Sequence, residues 1–147
     1  MNLVMKVFIE NEAGSTKKNL FNEKTLKFRK NVEVSRPYPF PYGFVIGTTS
    51  GDGDNLDCFV ITKRPLKTGE VIDVEPIGMF EQVEDGKADP KIIAKFKDEE
   101  VIVNPELQTR LSNFVSHVFD HLPNKVVEIG RFLGVKEAMK LIQSCKD

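Results

Sequence analysis

Residues 48–62 read TTSGDGDNLDCFVIT. Asp52, Asp54 and Asp57 fall within six residues, and the apolar run Cys58–Ile61 follows at once. Like charges this close repel one another, so a fold that keeps them must leave them in water or neutralise them. SGDGDN has turn chemistry and reads equally well as a polar hairpin tip. Asp57, however, stands directly against the apolar run, and a carboxylate entering a strand bound for the core needs a partner. A second acidic stretch, VEDGKAD, carries Glu84, Asp85 and Asp89 between two further strand candidates. If both loops open on one end of a barrel, their carboxylates converge. Oxygen ligands without His or Cys suit a hard cation such as Mg²⁺, Mn²⁺ or Ca²⁺.

The surrounding pattern is mostly β. Leu3–Glu10 reads as a strand, NEAGSTKKN as a loop, and Phe28–Val34 alternates roughly. RPYPFPYGF then interrupts any ladder, because each proline lacks an N–H and fixes φ; an extended, stiff crossing is expected. Short strands are predicted at Phe44–Thr48, Cys58–Lys63, Val71–Ile77, Met79–Val83 and Lys91–Phe96, separated by SGDGDN, PLKTGE and EDGKADP. From Pro105 the period changes. Leu107, Leu111, Phe114, Val115, Val118 and Leu122 have helical spacing, with Asn104 placed to cap and Pro105 at the first helical position. A second helix is predicted at Val135–Cys145. The expectation is a small barrel or curled sheet with helices packed outside.

Composition sets limits. The 147 residues suit one domain, 1–147, and 40% hydrophobic with 29% charged content suits a packed globule rather than disorder. A net charge of −1 gives no reason to expect a nucleic-acid or anionic-membrane partner. Cys58 and Cys145 lack metal-type spacing, and MNLVMKVFIE meets an acidic residue too early for a signal peptide, so a reduced cytoplasmic setting is expected. No EF-hand, Walker A or dinucleotide fingerprint is present. His117 and His121 lie four apart in HVFDH, which is not HEXXH; a helix-surface or interface role fits them better than a metal. Lys17, Lys18, Lys30 and Lys91 lie near strand ends or acidic loops. Lysines beside carboxylate-held metals suit phosphoryl chemistry, in which a free carboxylate takes the proton of an attacking water.

DGDNLD resembles the Asp-x-Asp-x-x-Asp signature of the soluble family I inorganic pyrophosphatases. IENEAGSTKK, YPFPYGF, PLKTGEVIDVEPIG and EDGKADPKI follow that family in order and spacing, over residues 7–94. The resemblance implies an α+β, mainly β fold: a five-stranded OB-like barrel with two flanking helices. It implies Mg²⁺-dependent, or Mn²⁺-dependent, hydrolysis of pyrophosphate, and a homo-oligomer, hexameric by analogy with bacterial members. By position, Asp52, Asp57 and Asp89 correspond to metal ligands, with Glu84 at a further metal position and Glu10 as an outer acidic residue. Asp54 corresponds to the carboxylate that activates water, with Tyr38 near it. Lys18, Tyr42 and Lys91 correspond to phosphate contacts, and Lys30 stands where the family has an arginine. The pattern also departs from the family. Asn19 and Leu20 replace a Tyr-Glu pair, and Val118 and Phe119 replace a Tyr-Lys pair that holds phosphate. Two alternatives follow from these losses: a protein of this fold with little turnover that acts as a binding or regulatory subunit, or a hydrolase of a larger phosphoanhydride.

Overall fold

A computed structural model of the chain describes residues 3–147; Met1 and Asn2 of the N-terminal stretch lie outside the described residues. The elements in chain order are β1 (Met5–Asn11), β2 (Lys17–Phe21), β3 (Phe28–Glu33), β4 (Tyr42–Val45), β5 (Asp57–Val60), β6 (Val71–Glu84), β7 (Lys87–Ala88), β8 (Lys91–Lys95), α1 (Pro105–His117), β9 (Val127–Gly134) and α2 (Val135–Cys145).

Five strands close on themselves. β1 pairs with β4, β4 with β5, β5 with β8, β8 with β6, and β6 returns to β1. Closure leaves those five strands no free edge, which is the advantage of a barrel. The fold is thus the predicted mainly-β barrel with two helices. β5 and β8 run parallel and set Asp57 opposite Lys91. The other barrel pairings are antiparallel.

Strand alternation divides the core. Cys58 and Val60 face one cluster, with Val7, Ile9, Ile92 and the α2 residues Ala138 and Ile142. Phe59 faces the other, with Phe80, Ile93, Tyr38, Tyr42 and the α1 residues Leu111 and Phe114. Because side chains alternate along a strand, Asp57 shares the Phe59 face and emerges at the margin of the second cluster. α1 begins as its sequence suggests. The Asn104 side chain accepts from Leu107 N at 2.9 Å, and Leu107, Leu111, Phe114 and Val115 are buried. The proline segment is an extended crossing whose Tyr38, Phe40 and Tyr42 rings are buried, with Tyr38 4.6 Å from Phe114 between ring centroids.

The structure corrects three strands and the end of one helix. Lys17–Phe21, most of whose lysine end reads as loop, is a strand paired with β3 in a hairpin outside the barrel. The two strands predicted at 71–77 and 79–83 are one. Gly78 sits at a register shift rather than a turn, and a Cβ there would lie 2.9 Å from Leu133 O of β9. β9 itself went unread. Its partly buried residues alternate with exposed ones at Val127–Gly130, but two glycines and Arg131 mask the pattern. Finally, α1 stops at His117 instead of reaching Leu122. The Val118 carbonyl accepts from Ser35 N at 2.8 Å, and Pro123 disfavours helix at the residue before it.

Gly43 of β4 pairs with Ile9, and a Cβ there would lie 1.7 Å from the Phe8 carbonyl oxygen. Backbone cannot yield as a flexible side chain can. Gly43→Ala is therefore expected to cost at least the roughly 1–3 kcal/mol typical of overpacking. Urea denaturation measures this; a loss below about 0.5 kcal/mol, the range of an ordinary surface change, would contradict the close β1–β4 approach.

Candidate active site

The two acidic loops do open on the same side. Between the barrel, the β2–β3 hairpin and α1 lies a cleft of about 170 Å³ lined by Glu10, Glu23, Asp52, Asp54, Asp57, Glu84 and Asp89. Lys18, Lys91, Tyr38 and Tyr42 also line it, while Leu20, Val115, Val118 and Phe119 form an apolar wall. A larger groove of about 580 Å³ lies under the start of α1, but it gathers no comparable set of reactive groups.

Each residue is placed by an identifiable local cause. In the loop before β5, Gly53 has φ +88, which only glycine adopts freely. The Asp52 carboxylate accepts from Ser50 Oγ and from Asp54 N at 3.0 Å, fixing the loop as an Asx turn. Thr48 ties the loop to the barrel: its Oγ1 donates to Val45 O at 2.6 Å and accepts from Leu56 N at 3.0 Å. The second loop is a two-residue turn at Asp85 and Gly86, with φ of +50 and +82, the conformation that favours Asp-Gly in tight hairpins. Asp89 then returns to the sheet through its N–H, which donates to Gln82 O at 2.8 Å.

Lys91 joins the two loops. Its side chain is 7% exposed, and its ammonium donates to Asp57 at 2.5 Å, to Asp89 at 2.9 Å and to the Tyr42 hydroxyl at 3.1 Å. Burial alone would lower its pKa, but the two carboxylates outweigh burial and hold it above its usual range. Burial, with Asp57 next, likewise pushes the Tyr42 phenol up. Burial raises Tyr38 too, followed by the charges of Glu10 and Asp57. Tyr38 and Asp54, expected near one another, line the same cleft.

Among the described residues Glu10, Glu23, Asp52 and Asp54 have no ion pair, whereas Glu84 lies 3.5 Å from Lys125. Glu10 is pushed up to about 8, first by burial and then by Asp57 and Glu23. Asp54 is raised by burial and by Asp52 and Asp57, against a lowering by Lys18 and Arg29. Asp89 is raised by burial in spite of Lys91.

Two cations differ from expectation. Lys30 does not line the cleft. It lies opposite Leu20 on the exposed hairpin. A bulge between Leu20 and Phe21 leaves Arg29 unpaired in the ladder, and it is Arg29 whose charge reaches Asp54. Glu23 was missed altogether. It comes from the hairpin tip, accepts from Asn55 N at 2.8 Å and is pushed up to about 7 by burial. Its spacing from Lys18 gives no signal; only the hairpin fold returns it to the aspartates. Phe119, which with Val118 stands where the family has a phosphate-holding Tyr-Lys pair, does line the cleft. His117 bonds Asp120 at 2.9 Å and His121 bonds Ser35 at 2.6 Å.

The donor set fits a divalent cation. Seven carboxylates and two lysines line one small cleft, and the donors are all oxygen. Among the described residues no finished cage of three ligands exists. Mg²⁺ does not require one, because it keeps several waters and is held by one or two carboxylates with phosphate oxygens.

Glu10 and Glu23 each hold a proton in the folded chain that the unfolded chain releases near its ordinary value of 4.5. The folded state therefore binds more protons between about pH 4.5 and 8, and its stability falls as pH rises through that window. Metal-free protein in chelator is expected to show a falling Tm from pH 5 to 8, and saturating Mg²⁺ should flatten the slope. A Tm that is flat or rises over this range without metal would contradict the assignment.

The family model for inorganic pyrophosphatase matches residues 7–147, so the likeness continues through α1, β9 and α2. The inorganic pyrophosphatase of Nanoarchaeum equitans is 35% identical over 95% of this chain and 94% of that protein. That of Geobacillus stearothermophilus is 33% identical over 98% of this chain and 93% of that protein. Among solved structures, an inorganic pyrophosphatase from Neisseria gonorrhoeae superposes with a TM-score of 0.88 at 27% identity, covering 97% of this chain and 88% of that one. Sequence, fold and cleft agree: the chain belongs to the inorganic pyrophosphatase family.

Proposed function

We propose that this cleft hydrolyses inorganic pyrophosphate to two phosphates with Mg²⁺ as the working cation, Mn²⁺ serving in its place. The observation that carries the reading is the set of seven carboxylates in one cleft, among which the described residues place a single buried cation, Lys91. Asp52, Asp57, Asp89 and Glu84 are the residues to hold the cation, with Glu10 behind them. When bound, the cation neutralises phosphate charge and acidifies water.

Asp54 takes the proton of the attacking water. Burial and its neighbours raise its pKa, which makes it a better base than an ordinary aspartate. The water oxygen forms a new bond to one phosphorus, the bridging P–O bond breaks, and the second phosphate leaves on that oxygen. Lys18, Arg29 and the Lys91–Tyr42 pair orient phosphate oxygens, and the apolar wall of Leu20, Val118 and Phe119 limits water. We extend the reading to one domain over 1–147, a homo-oligomer that is hexameric by family analogy, and a cytoplasmic setting. Two free buried cysteines support the last.

Phosphate release from pyrophosphate, ATP and tripolyphosphate, with and without Mg²⁺, tests the function. Pyrophosphate should be the preferred substrate and chelator should abolish turnover; full activity after metal stripping would overturn the reading.

Two variants test the roles. Asp54→Asn should lower kcat by about 10²- to 10⁴-fold, the usual worth of a general base, with Mg²⁺ affinity near wild type. Asp57→Asn should weaken Mg²⁺ binding and also stability, because it breaks a buried pair with Lys91; such breaks cost about 3–5 kcal/mol. Wild-type turnover in Asp54→Asn would remove Asp54 from its role.

A further inference from the structure

One cation lies at the cleft without appearing in the expected site. Lys125 stands in the turn before β9, where its N–H donates to Leu122 O at 3.1 Å. The next residue, Val126, is fastened to the second acidic loop twice: Asp85 N donates to Val126 O at 2.8 Å, and Val126 N donates to the Asp85 carboxylate at 2.9 Å. The backbone beside Lys125 is therefore fixed to the rim of the cleft. Its ammonium lies 5.1 Å from the ring centroid of Phe119, which lines the cleft, and the Lys18 ammonium lies 5.2 Å from the same centroid.

We propose that Lys125 is a phosphate-binding residue, gathered with Lys18 by the ring of Phe119 into a two-cation grip on that wall of the cleft. An aromatic face attracts an ammonium without neutralising it, so it orients charge and leaves it available. The carboxylates nearest Lys125 hold it loosely, Glu84 at 3.5 Å and Asp85 at 3.6 Å, both beyond a good charge-assisted bond. Lys91 differs: it is committed at 2.5 and 2.9 Å to Asp57 and Asp89. Lys18 has no ion pair within 4.0 Å among the described residues. A phosphate group reaching the wall of Val118 and Phe119 would meet only apolar surface if these two ammonium groups did not turn to it. Phe119 thus serves as a positioning residue, and the cation that its place in the sequence lacks is supplied from Lys125.

This rests on the pyrophosphatase reading, and the test separates the two. Inorganic phosphate binding to the Mg²⁺-loaded protein is measured by calorimetry for wild type, Lys125→Met, Lys125→Arg and Phe119→Leu. Mg²⁺ affinity without phosphate is measured on the same proteins. Lys125→Met should weaken phosphate binding about tenfold or more, the usual effect of losing a charge-assisted bond. Its Mg²⁺ affinity should hold or improve, since Glu84 loses a competitor. Lys125→Arg should restore phosphate binding, and Phe119→Leu should weaken it less than Lys125→Met does. Unchanged phosphate affinity in Lys125→Met would overturn the proposal, as would a parallel loss of Mg²⁺ affinity, which would make Lys125 a support for the metal ligands. If the wild-type protein binds phosphate but releases none from pyrophosphate, the functional reading fails while the Lys125 assignment still stands or falls on the binding data.

Discussion

The buried contact of Lys91 with Asp57 and Asp89 holds the site together. It spans the parallel β5–β8 pairing and draws the second acidic loop against the first. Two carboxylates around one ammonium still leave a net negative charge, and the hydroxyl of Tyr42 only helps to solvate it. Everything else in the cleft follows from that imbalance. Glu10, Glu23, Asp54 and Asp89 all titrate above their ordinary values because burial and neighbouring carboxylates oppose their ionisation. The fold tolerates this frustration at one place, which is the expected signature of a functional site rather than of a packing solution.

The barrel explains how the frustration is contained. Strand alternation sends Cys58 and Val60 to one core cluster and Phe59 to the other, which leaves Asp57 at the mouth. The PYPFPY crossing and α1 seal the aromatic side, so the carboxylates lie beside low-dielectric surface on one flank. That arrangement strengthens any charge interaction made in the cleft. The other flank is the β2–β3 hairpin, which contributes Lys18 and Glu23 to the cleft, while the exposed Arg29 acts on Asp54 through its charge. Rigid barrel and peripheral hairpin thus divide the cleft: the first fixes Asp57, Asp89 and Lys91, and the second adds Lys18 and Glu23 at its edge.

Much of this was legible in the sequence. Asp52, Asp54 and Asp57 announced themselves by charge density against an apolar run, and Glu84 and Asp89 by a second loop of the same kind. Lys91 and Tyr42 were placed by resemblance, and the structure shows the bond between them. What was hidden depended on geometry that no local pattern carries. The hairpin bulge makes Arg29, not Lys30, the cation near Asp54, and a bulge shifts the register without a distinctive composition. Glu23 lines the cleft from a turn, and Lys125 lies beside Glu84 and Phe119 from another, where position depends on tertiary bonds to Asn55 and Asp85. β9 was masked by its glycines, and the end of α1 by Val118, whose periodicity continues after its carbonyl has turned to Ser35.

The charge conflict built into the cleft is one that a divalent cation relieves. Calorimetric titration of Mg²⁺ into the metal-free protein at pH 7, repeated in buffers of different ionisation enthalpy, measures the protons exchanged on binding. At pH 7 Glu10, held up to about 8, is mostly protonated and Glu23, held up to about 7, is about half protonated, and both lose protons as the cation arrives. The account predicts saturable Mg²⁺ binding with net proton release that diminishes when Glu10 is replaced by Gln. Binding with no proton release, or no saturable binding, would contradict it.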